Sequence, residues 1–532
     1  MALLMVFAIR FLDVNSEALA KVEHAVAQRG HVISIAGGDV TLRDLPRAYE
    51  IARGRFLTDP HYKGEAPWYP AVMPALAAGM SKLTGRTMPS AYFVTEIWLC
   101  AITILAIAWL LHRLGGWWAT SLLPLGLGLG WFGAPSALYP AQSARAFFFL
   151  VVGILAASWD DTARSRSARR RSALSLGLGL AILGLWNGAS FFVASGTAAV
   201  LVAFRLVQSL RRSTLRQALP WLIVLLASVT IVFGGLFLLP QLIRYGTIRQ
   251  AGSARLYLGP AYEGGTSASA MLDLPLFPRD WDLAFLAVFV GSLWIRKDGL
   301  RYFKVPLLIA YLLANFMGHL GFAMNDPHHR QLAGFIRATM PAPPATFVNQ
   351  ALLLLPFIKV MAVATLASWL WSLVKPAMAK TVALPSALAP VFVFVALVPL
   401  LWMDVPKIAL FADEESSAFA EFARAASYIA DDATIYINHP YQFMGQAGFR
   451  LLFFRMSDHA NHYVQKEREK AQTDLRNAVH AQRLTVANAI LDKHDVKYLM
   501  RLDREPDPVV NRCGVEILQG QGVALLKRVP CR

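Results

Sequence analysis

Acidic residues are scarce in this chain, and so is charge of any kind. Across 532 residues there are 34 Asp and Glu against 51 Lys and Arg, and charged residues make up 16% of the whole. Soluble domains carry about a quarter charged residues, so a surface fully solvated by water is excluded. Cysteine is scarcer still, at three residues: Cys100, Cys513 and Cys531. That excludes a disulfide-dense secreted scaffold and a four-cysteine zinc site. There is no glycine-rich phosphate loop, no dinucleotide fingerprint after a strand, no nucleophile elbow and no repeat of fixed period.

What the chain does have is uninterrupted apolar sequence, 56% hydrophobic overall. Runs such as "AYFVTEIWLCAITILAIAWLL" (91–111), "ALPWLIVLLASVTIVFGGLFLLP" (218–240) and "LPSALAPVFVFVALVPLLWM" (384–403) are long enough to cross a hydrocarbon layer of roughly 30 Å. The reading is an α-helical polytopic membrane protein with about eleven transmembrane helices. They are placed at 1–14, 91–111, 117–134, 144–159, 173–187, 190–206, 218–240, 283–295, 305–324, 348–374 and 384–403. The first contains Arg10 and no small-residue cleavage site, so it reads as a short span rather than a signal peptide. The glycine-rich "LGLGLGW" (125–131) has no strand before it, and suits close helix packing better than phosphate binding.

The net charge of +17 does not point to nucleic acid, because the basic residues cluster in short loops between apolar blocks. Those loops are Arg164–Ser172, the segment around Arg211 and Arg212, Arg296–Lys304 and Lys375–Lys380. Each lies two spans from the last, so all four fall on one face, the cytoplasmic one. The spans at 173–187 and 190–206 could instead form a re-entrant pair, which leaves that parity intact. Loops 15–90, 135–143, 241–282 and 325–347 then face the other side, together with everything beyond Met403. Two domains follow: a transmembrane part, 1–403, and an extracytoplasmic α/β part, 404–532.

In the tail, "ESSAFAEFARAASYIADD" has helical spacing and "ATIYINH" reads as a strand. A polar helical stretch through "KEREKAQTDLRNAVHAQRLTVANAILDKH" leads to the strand "VKYLMRLD" and a hairpin, "GVEILQGQGVALLKRV". Cys513 and Cys531 bracket that hairpin in an oxidising compartment, as a disulfide or as two free thiols.

The outer loops hold the candidate chemistry. In "GGDVTLRDLPRAYEIARG", Asp44 stands where an N-cap belongs, with Pro46 in the first turn and Gly54 at the end. Asp39, after two glycines, has no such local duty beyond a turn. "PWYP", containing Tyr69, leads into an amphipathic stretch suited to the membrane interface. Other outer loops bring Tyr139, Gln142 and Arg145, then Arg244, Arg249 and Arg255, then His328, His329, Arg330 and Arg337. Arginine is disfavoured on this face, so these residues serve either local acids such as Asp326 and Glu263 or an anionic phosphate held by guanidinium forks. Neither "HH" beside Asp326 nor "DHANH" (458–462) has a firm metal-ligand spacing.

The segments "GGDVTLRDLPRAYEIARGRFLTDP" and "APWYPAVMPALAAGMSKLTG" carry a resemblance to a known family. The chain resembles the GT-C class of integral-membrane glycosyltransferases, the polyprenyl-phosphate-sugar-dependent enzymes that include aminoarabinose, galacturonosyl, mannosyl and arabinofuranosyl transferases. In that class an acid soon after the first span precedes, by about fifteen residues, a glycine that closes a helix. Counted back from Gly54, that acid is Asp39, with Asp44 as second candidate; the paired acid of many members is here Val40.

The resemblance implies transfer of a sugar from a polyprenyl-phosphate-linked donor to a hydroxyl of a glycan, lipid or protein acceptor, with inversion. It implies a multi-pass protein of the bacterial inner (plasma) membrane, with membrane lipid as partner and the terminal domain on the periplasmic or extracellular side. Asp39 or Asp44 would be the catalytic base. His329, Arg330, Arg337 and Arg145 would bind the donor phosphate, and Tyr69, Tyr139, Gln142 and Arg255 would line the acceptor cleft. No cofactor is assigned; a divalent metal is an open option that ligand spacing does not support.

The rival readings are a membrane transporter or flippase, and a ligase of lipid-linked glycans. A transporter needs charged or broken segments near the midplane, and beyond His319, Arg205 and Lys359 the spans carry few. A ligase typically carries one large outer loop late in the chain. The topology has a direct test in a Cys100→Ala background. A thiol at Ser267→Cys should react with a membrane-impermeant maleimide in intact cells, and one at Ser167→Cys only after permeabilisation. Equal labelling of the two refutes the arrangement.

Overall fold

The computed structural model describes residues 10–17, 19–20, 23, 44–63, 65, 71–128, 132, 166–186, 188–211, 215–239, 242–243, 281–294, 301–323, 344–379, 425, 428–430, 433–438, 450–452, 462–502, 506–520 and 523–532. The chain divides into two compact units. One comprises Met1–Asn15, Ile97–Leu236 and Tyr257–Ile408; the other comprises Ser16–Glu96, Phe237–Leu256 and Ala409–Arg532. The second unit thus joins the first long loop to the tail.

The first unit is helical. Most of α3 (Met88–Ser121) belongs to it, followed by α4 (Leu123–Gly128), α5 (Arg166–Trp186) and α6 (Gly188–Arg211). Next come α7 (Leu215–Val229), which continues as a π-helix over Thr230–Leu238, and α8 (Trp281–Gly291), which ends in a 3-10 turn at Ser292–Trp294. α9 (Arg301–Ala323) and α10 (Pro344–Ala379) complete the described set. α10 packs on α6, α8 and α9, and α5 packs on α6 and α7. The break expected between the second and third spans falls at Gly116, whose φ of 68° and ψ of −162° interrupt α3. Close approach of α5 to α7 rests on Gly177, where an added Cβ would lie 2.5 Å from the Cβ of Ser228.

Among the described residues two helices are long and apolar enough to cross a membrane, Met88–Ser121 and Leu354–Ser372. Shorter apolar helices occupy Ala173–Trp186, Leu222–Val232, Leu283–Trp294 and Leu307–Phe316. The spans expected at 144–159 and 384–403 lie outside the described residues. α3 exposes Trp98, Ile102, Leu105 and Trp109, and α9 exposes Ile309, Leu312, Leu313 and Phe316. Spacings of three and four place each set on a single helix face. Water would penalise two such stripes, whereas a hydrocarbon solvent selects them.

Polar groups turn inward instead. Lys304 is 1% exposed, and its Nζ donates to Ser292 Oγ and to Thr365 Oγ1, both at 2.9 Å. Both hydroxyls donate to carbonyls of their own helical turns, of Phe289 and Met361, so the contact ties α9 to α8 and α10 without orphaned donors.

The second unit begins with α1 (Leu45–Ala52), α2 (Val72–Thr84) and the first turns of α3. Gly54, at φ +83°, donates to the carbonyl of Ile51 and stops α1 in a conformation only glycine adopts cheaply. Gly85, at φ 68°, ends α2 in the same manner, just beyond Lys82. The tail is a five-stranded sheet of β1 (Thr434–Ile437), β2 (Arg450–Leu451), β3 (Val496–Leu502), β4 (Gly514–Gln519) and β5 (Val523–Arg528) in the order β2-β1-β3-β5-β4. β1 runs parallel to β2 and β3, and β5 runs antiparallel to β3 and β4. The polar stretch read as one helical segment is two helices, α11 (His462–His480) and α12 (Leu484–Lys493), with α13 (Pro508–Cys513) ahead of the hairpin. Gln482, at φ 54°, makes the break between α11 and α12. The helix expected before β1 lies largely outside the described residues.

The tail core gathers Tyr436, Leu452, Leu475, Val479, Leu491, Val496, Leu499, Val510 and Leu526. Asp507 caps α13, accepting from the backbone of Val509 and Val510 at 2.8 and 3.0 Å, and also accepts from Tyr436 Oη at 3.0 Å. Cys513 and Cys531 are joined as a disulfide across 18 residues, and Cys100 is a buried free thiol. Closing a loop of that length restricts the unfolded chain by about 3 kcal/mol. A Cys513→Ser, Cys531→Ser double variant should therefore unfold its tail at lower temperature. Calorimetry of the full chain in detergent, with and without reductant, checks this: reductant should lower the wild-type transition and leave the variant unmoved.

Candidate functional site

α1 begins at Asp44, but the carboxylate does not do what local sequence suggests. Asp44 occupies the N-cap position with helical φ and ψ of −79° and −42° and makes no side-chain capping bond. Pro46 accounts for part of this, since it has no N–H and so removes one donor that a cap would serve. The carboxylate is instead fully buried and accepts from Tyr92 Oη at 2.9 Å, across 48 positions of sequence. Asp44 as a plain helix cap is thus corrected.

Tyr92 lies on the first turns of α3, and Glu96 stands one helical turn further along the same face. Glu96 is 2% exposed and within electrostatic reach of Asp44. Its Oε1 meets no hydrogen-bond donor among the described residues. Two buried carboxylates within electrostatic reach of each other, one of them accepting from a phenol, mark a candidate functional site. Neither Tyr92 nor Glu96 stood out in the sequence, because both sit inside a run read as apolar span. A lone carboxylate within such a run was the signal that could have found Glu96.

The rest of α1 is fixed by its other charges. Arg47 is 2% exposed and donates to the carbonyls of Phe56 and Thr58, so the chain after the helix folds back under it. Burial pushes the Arg47 guanidinium down to about 10, with Asp59 and Glu50 opposing the shift. Burial likewise pushes the Tyr49 phenol up to about 12. Glu50 is buried too and meets Arg450 Nη2 at 2.7 Å, Arg53 Nη1 at 3.2 Å and Arg55 Nη1 at 3.6 Å.

Residues 59–65 then lie along the tail. Asp59 accepts from the backbone of His61 and Tyr62 at 2.7 and 3.0 Å, which closes a tight turn. The carbonyl of His61 accepts from the backbone of Leu451 at 3.0 Å. Lys63 pairs with Asp495 at 2.6 Å. Arg468 of α11 sits 5.5 Å over the Tyr62 ring, 3.8 Å from Glu65, and 2.7 Å from His494 Nδ1. An arginine always carries its proton, so Nδ1 of His494 is the acceptor. Burial first, then Arg468 and Lys493, push the His494 imidazole down to about 4, against the opposing charge of Glu467.

Of the candidate site and disulfide residues named from sequence, Asp44, Cys513 and Cys531 are described. Asp39, Tyr69, Tyr139, Gln142, Arg145, Arg255, His329, Arg330 and Arg337 lie outside the described residues. Among the described residues no group of three or more His, Cys, Asp or Glu side chains could hold a metal ion.

No family model matches this chain and no curated protein matches it. Solved structures do show a likeness. The chain is similar to an oligosaccharyltransferase of Archaeoglobus fulgidus in its apo form, with 13% identity over 94% of this chain and 69% of the other, at a TM-score of 0.48. It is similar to ArnT of Cupriavidus metallidurans bound to undecaprenyl phosphate, with 11% identity, coverage of 97% and 98%, and a TM-score of 0.38. It is also similar to the mycobacterial arabinofuranosyltransferase AftD, with 14% identity, coverage of 97% and 40%, and a TM-score of 0.43. All three are GT-C glycosyltransferases, the class to which the sequence bears its resemblance.

The Arg468–His494 contact sets a pH dependence. Above the ordinary value of 6.5 the imidazole is neutral in folded and unfolded chains alike, and the contact keeps its full strength. As pH falls from there to about 4, the unfolded chain takes up a proton that the folded one refuses, so stability declines across that window. A His494→Asn variant should lose less melting temperature between pH 7 and pH 5 than the wild type, in thermal unfolding of the full chain. Identical losses would show that His494 does not set the window.

Proposed function

We propose that this protein is an integral-membrane glycosyltransferase that moves a sugar from a polyprenyl-phosphate donor to an acceptor hydroxyl, with inversion, on the outer face of a bacterial plasma membrane. The observation that carries the proposal is the Asp44–Tyr92–Glu96 constellation. It is a buried acid pair at the start of a helix, in a loop held against an α/β tail, within a chain whose helices present apolar stripes outward.

The chemistry asks little beyond that. The anomeric carbon of a lipid-phosphate sugar carries a good leaving group, so the acceptor needs a base within hydrogen-bond reach. The carboxylate removes the hydroxyl proton as the new C–O bond forms. The anomeric C–O bond breaks on the opposite face, and its electron pair leaves with the lipid phosphate. In this reading Asp44 is the base, and Tyr92 favours its ionised form by donating to it. Asp39, the first candidate from the sequence, lies outside the described residues and is the alternative base. Fixed cations meet the charge that develops on the phosphate, with Arg330, His329 and Arg337 in that role and Arg145 behind them. Tyr69, Tyr139, Gln142 and Arg255 line the acceptor side.

Purified protein supplied with polyprenyl-phosphate sugars and candidate acceptors tests this. Asp44→Asn should lower kcat by about 10² to 10⁴, the range a general base contributes. Tyr92→Phe should retain measurable turnover at a lower kcat than wild type, because the carboxylate loses a donor that orients it. If Asp39→Asn is silent, Asp44 stands; if Asp44→Asn is silent and Asp39→Asn is inactive, the base is Asp39. Wild-type protein that consumes no lipid-linked sugar while a substrate crosses liposomes would make it a transporter.

A further inference from the structure

Glu50 receives three arginines, and they are not equivalent. Arg53 and Arg55 lie within five residues of it, on the chain that α1 itself leads into, and are partly exposed. They hold the end of α1 to its own loop. Arg450 comes from 400 positions away, and both members of its pair are almost wholly buried, at 4% and 1% side-chain exposure. It stands on β2, whose register to β1 pairs Arg450 with Thr434 and Leu451 with Ile435. The other neighbour of β2 is the loop itself, through the bond from Leu451 to the His61 carbonyl. β2 is therefore a strip of tail backbone between sheet and loop, and Arg450 is its charged link to α1.

We propose that Arg450 is a positioning residue for Asp44, acting through Glu50; this rests on the preceding reading that Asp44 serves the transfer reaction. α1 is eight residues long, so it moves as one rigid piece. Glu50 is six residues along from Asp44, about 9 Å at 1.5 Å per residue. A shift at the Glu50 end carries the Asp44 carboxylate with it. The Arg47 contacts close the loop on itself and cannot resist such a shift, because both acceptors, Phe56 and Thr58, move with the loop. Arg450 can, because its backbone is hydrogen-bonded into the sheet.

The test combines turnover with hydrogen exchange on the full-length protein in detergent. Arg450→Met should lower kcat by up to about 10²-fold, the cost of a reacting group displaced by about 1 Å, with KM changed much less. Arg450→Lys, which keeps the charge on a different stem, should recover part of the rate. A Glu50→Gln, Arg450→Met double variant should lose no more than the worse single variant, because the two act as a unit. In Arg450→Met, exchange should rise across 45–63 and stay unchanged across β3 to β5. Unchanged kcat and unchanged exchange in Arg450→Met would overturn the proposal. Raised exchange in a protein whose wild type never consumes a lipid-linked sugar would uphold the positioning and overturn the functional reading instead. Should Arg450→Met fail to fold, Arg450→Lys decides the matter alone, and wild-type kcat with wild-type exchange in that variant would overturn the proposal.

Discussion

A carboxylate removed from water must find cations and donors, and in this protein the carboxylate that dictates the most is Glu50. Leaving it unpaired in the interior would cost several kcal/mol, so whatever else the first long loop does, it must bring α1 to a cation. Two nearby arginines come with the loop, and the buried one comes from the tail. The pair therefore forces residues far apart in the chain into one compact unit. Buried ion pairs are poor sources of net stability but strong sources of register, because a shifted arrangement leaves a charge unpaired. The contacts of Lys63 and Arg468 follow the same logic, half-exposed where Lys63 meets Asp495 and buried where Arg468 spreads over Tyr62 and towards Glu65.

Within that frame Asp44 acquires its environment. Its backbone serves α1 while its side chain is released to Tyr92, and the missing N–H of Pro46 is part of the reason. The result is an acid buried against a second acid, with a phenol hydrogen-bonded to the first of them. Metal chemistry is not needed for such a pair to work on a hydroxyl. A single carboxylate poised beside a donor suffices for a displacement whose leaving group is already an anionic phosphate ester.

Much of the tail was legible in the sequence, because its signals are local. Whereas the short α13, capped by Asp507, was not read from the sequence, alternation and turn residues mark β3 and the β4–β5 hairpin. Gly54 marked the end of α1 for the same reason. The break at Gln482 was missed, since nothing in "AVHAQRLTV" except a left-handed glutamine interrupts the helical spacing. The candidate site was legible only at Asp44, and there the local rule misled. Capping propensity reads four or five neighbours, whereas the partner of Asp44 lies 48 residues on and that of Glu50 lies 400 residues on. Pairings of that range leave no periodicity and no spacing. Glu96 was visible as a charge in an apolar run, but with no partner in view it passed as part of the span 91–111.

α3 itself shows why acid chemistry and apolar packing can share one element. Thr95 and Glu96 are buried, while Trp98, two residues beyond Glu96, begins the outward stripe that continues through Ile102, Leu105 and Trp109. Within two residues the helix passes from a turn selected for a protected polar pocket to turns selected for an apolar solvent. Tryptophan favours the boundary between hydrocarbon and headgroups, and an exposed Trp98 directly after a buried Glu96 is the pattern such a boundary would select.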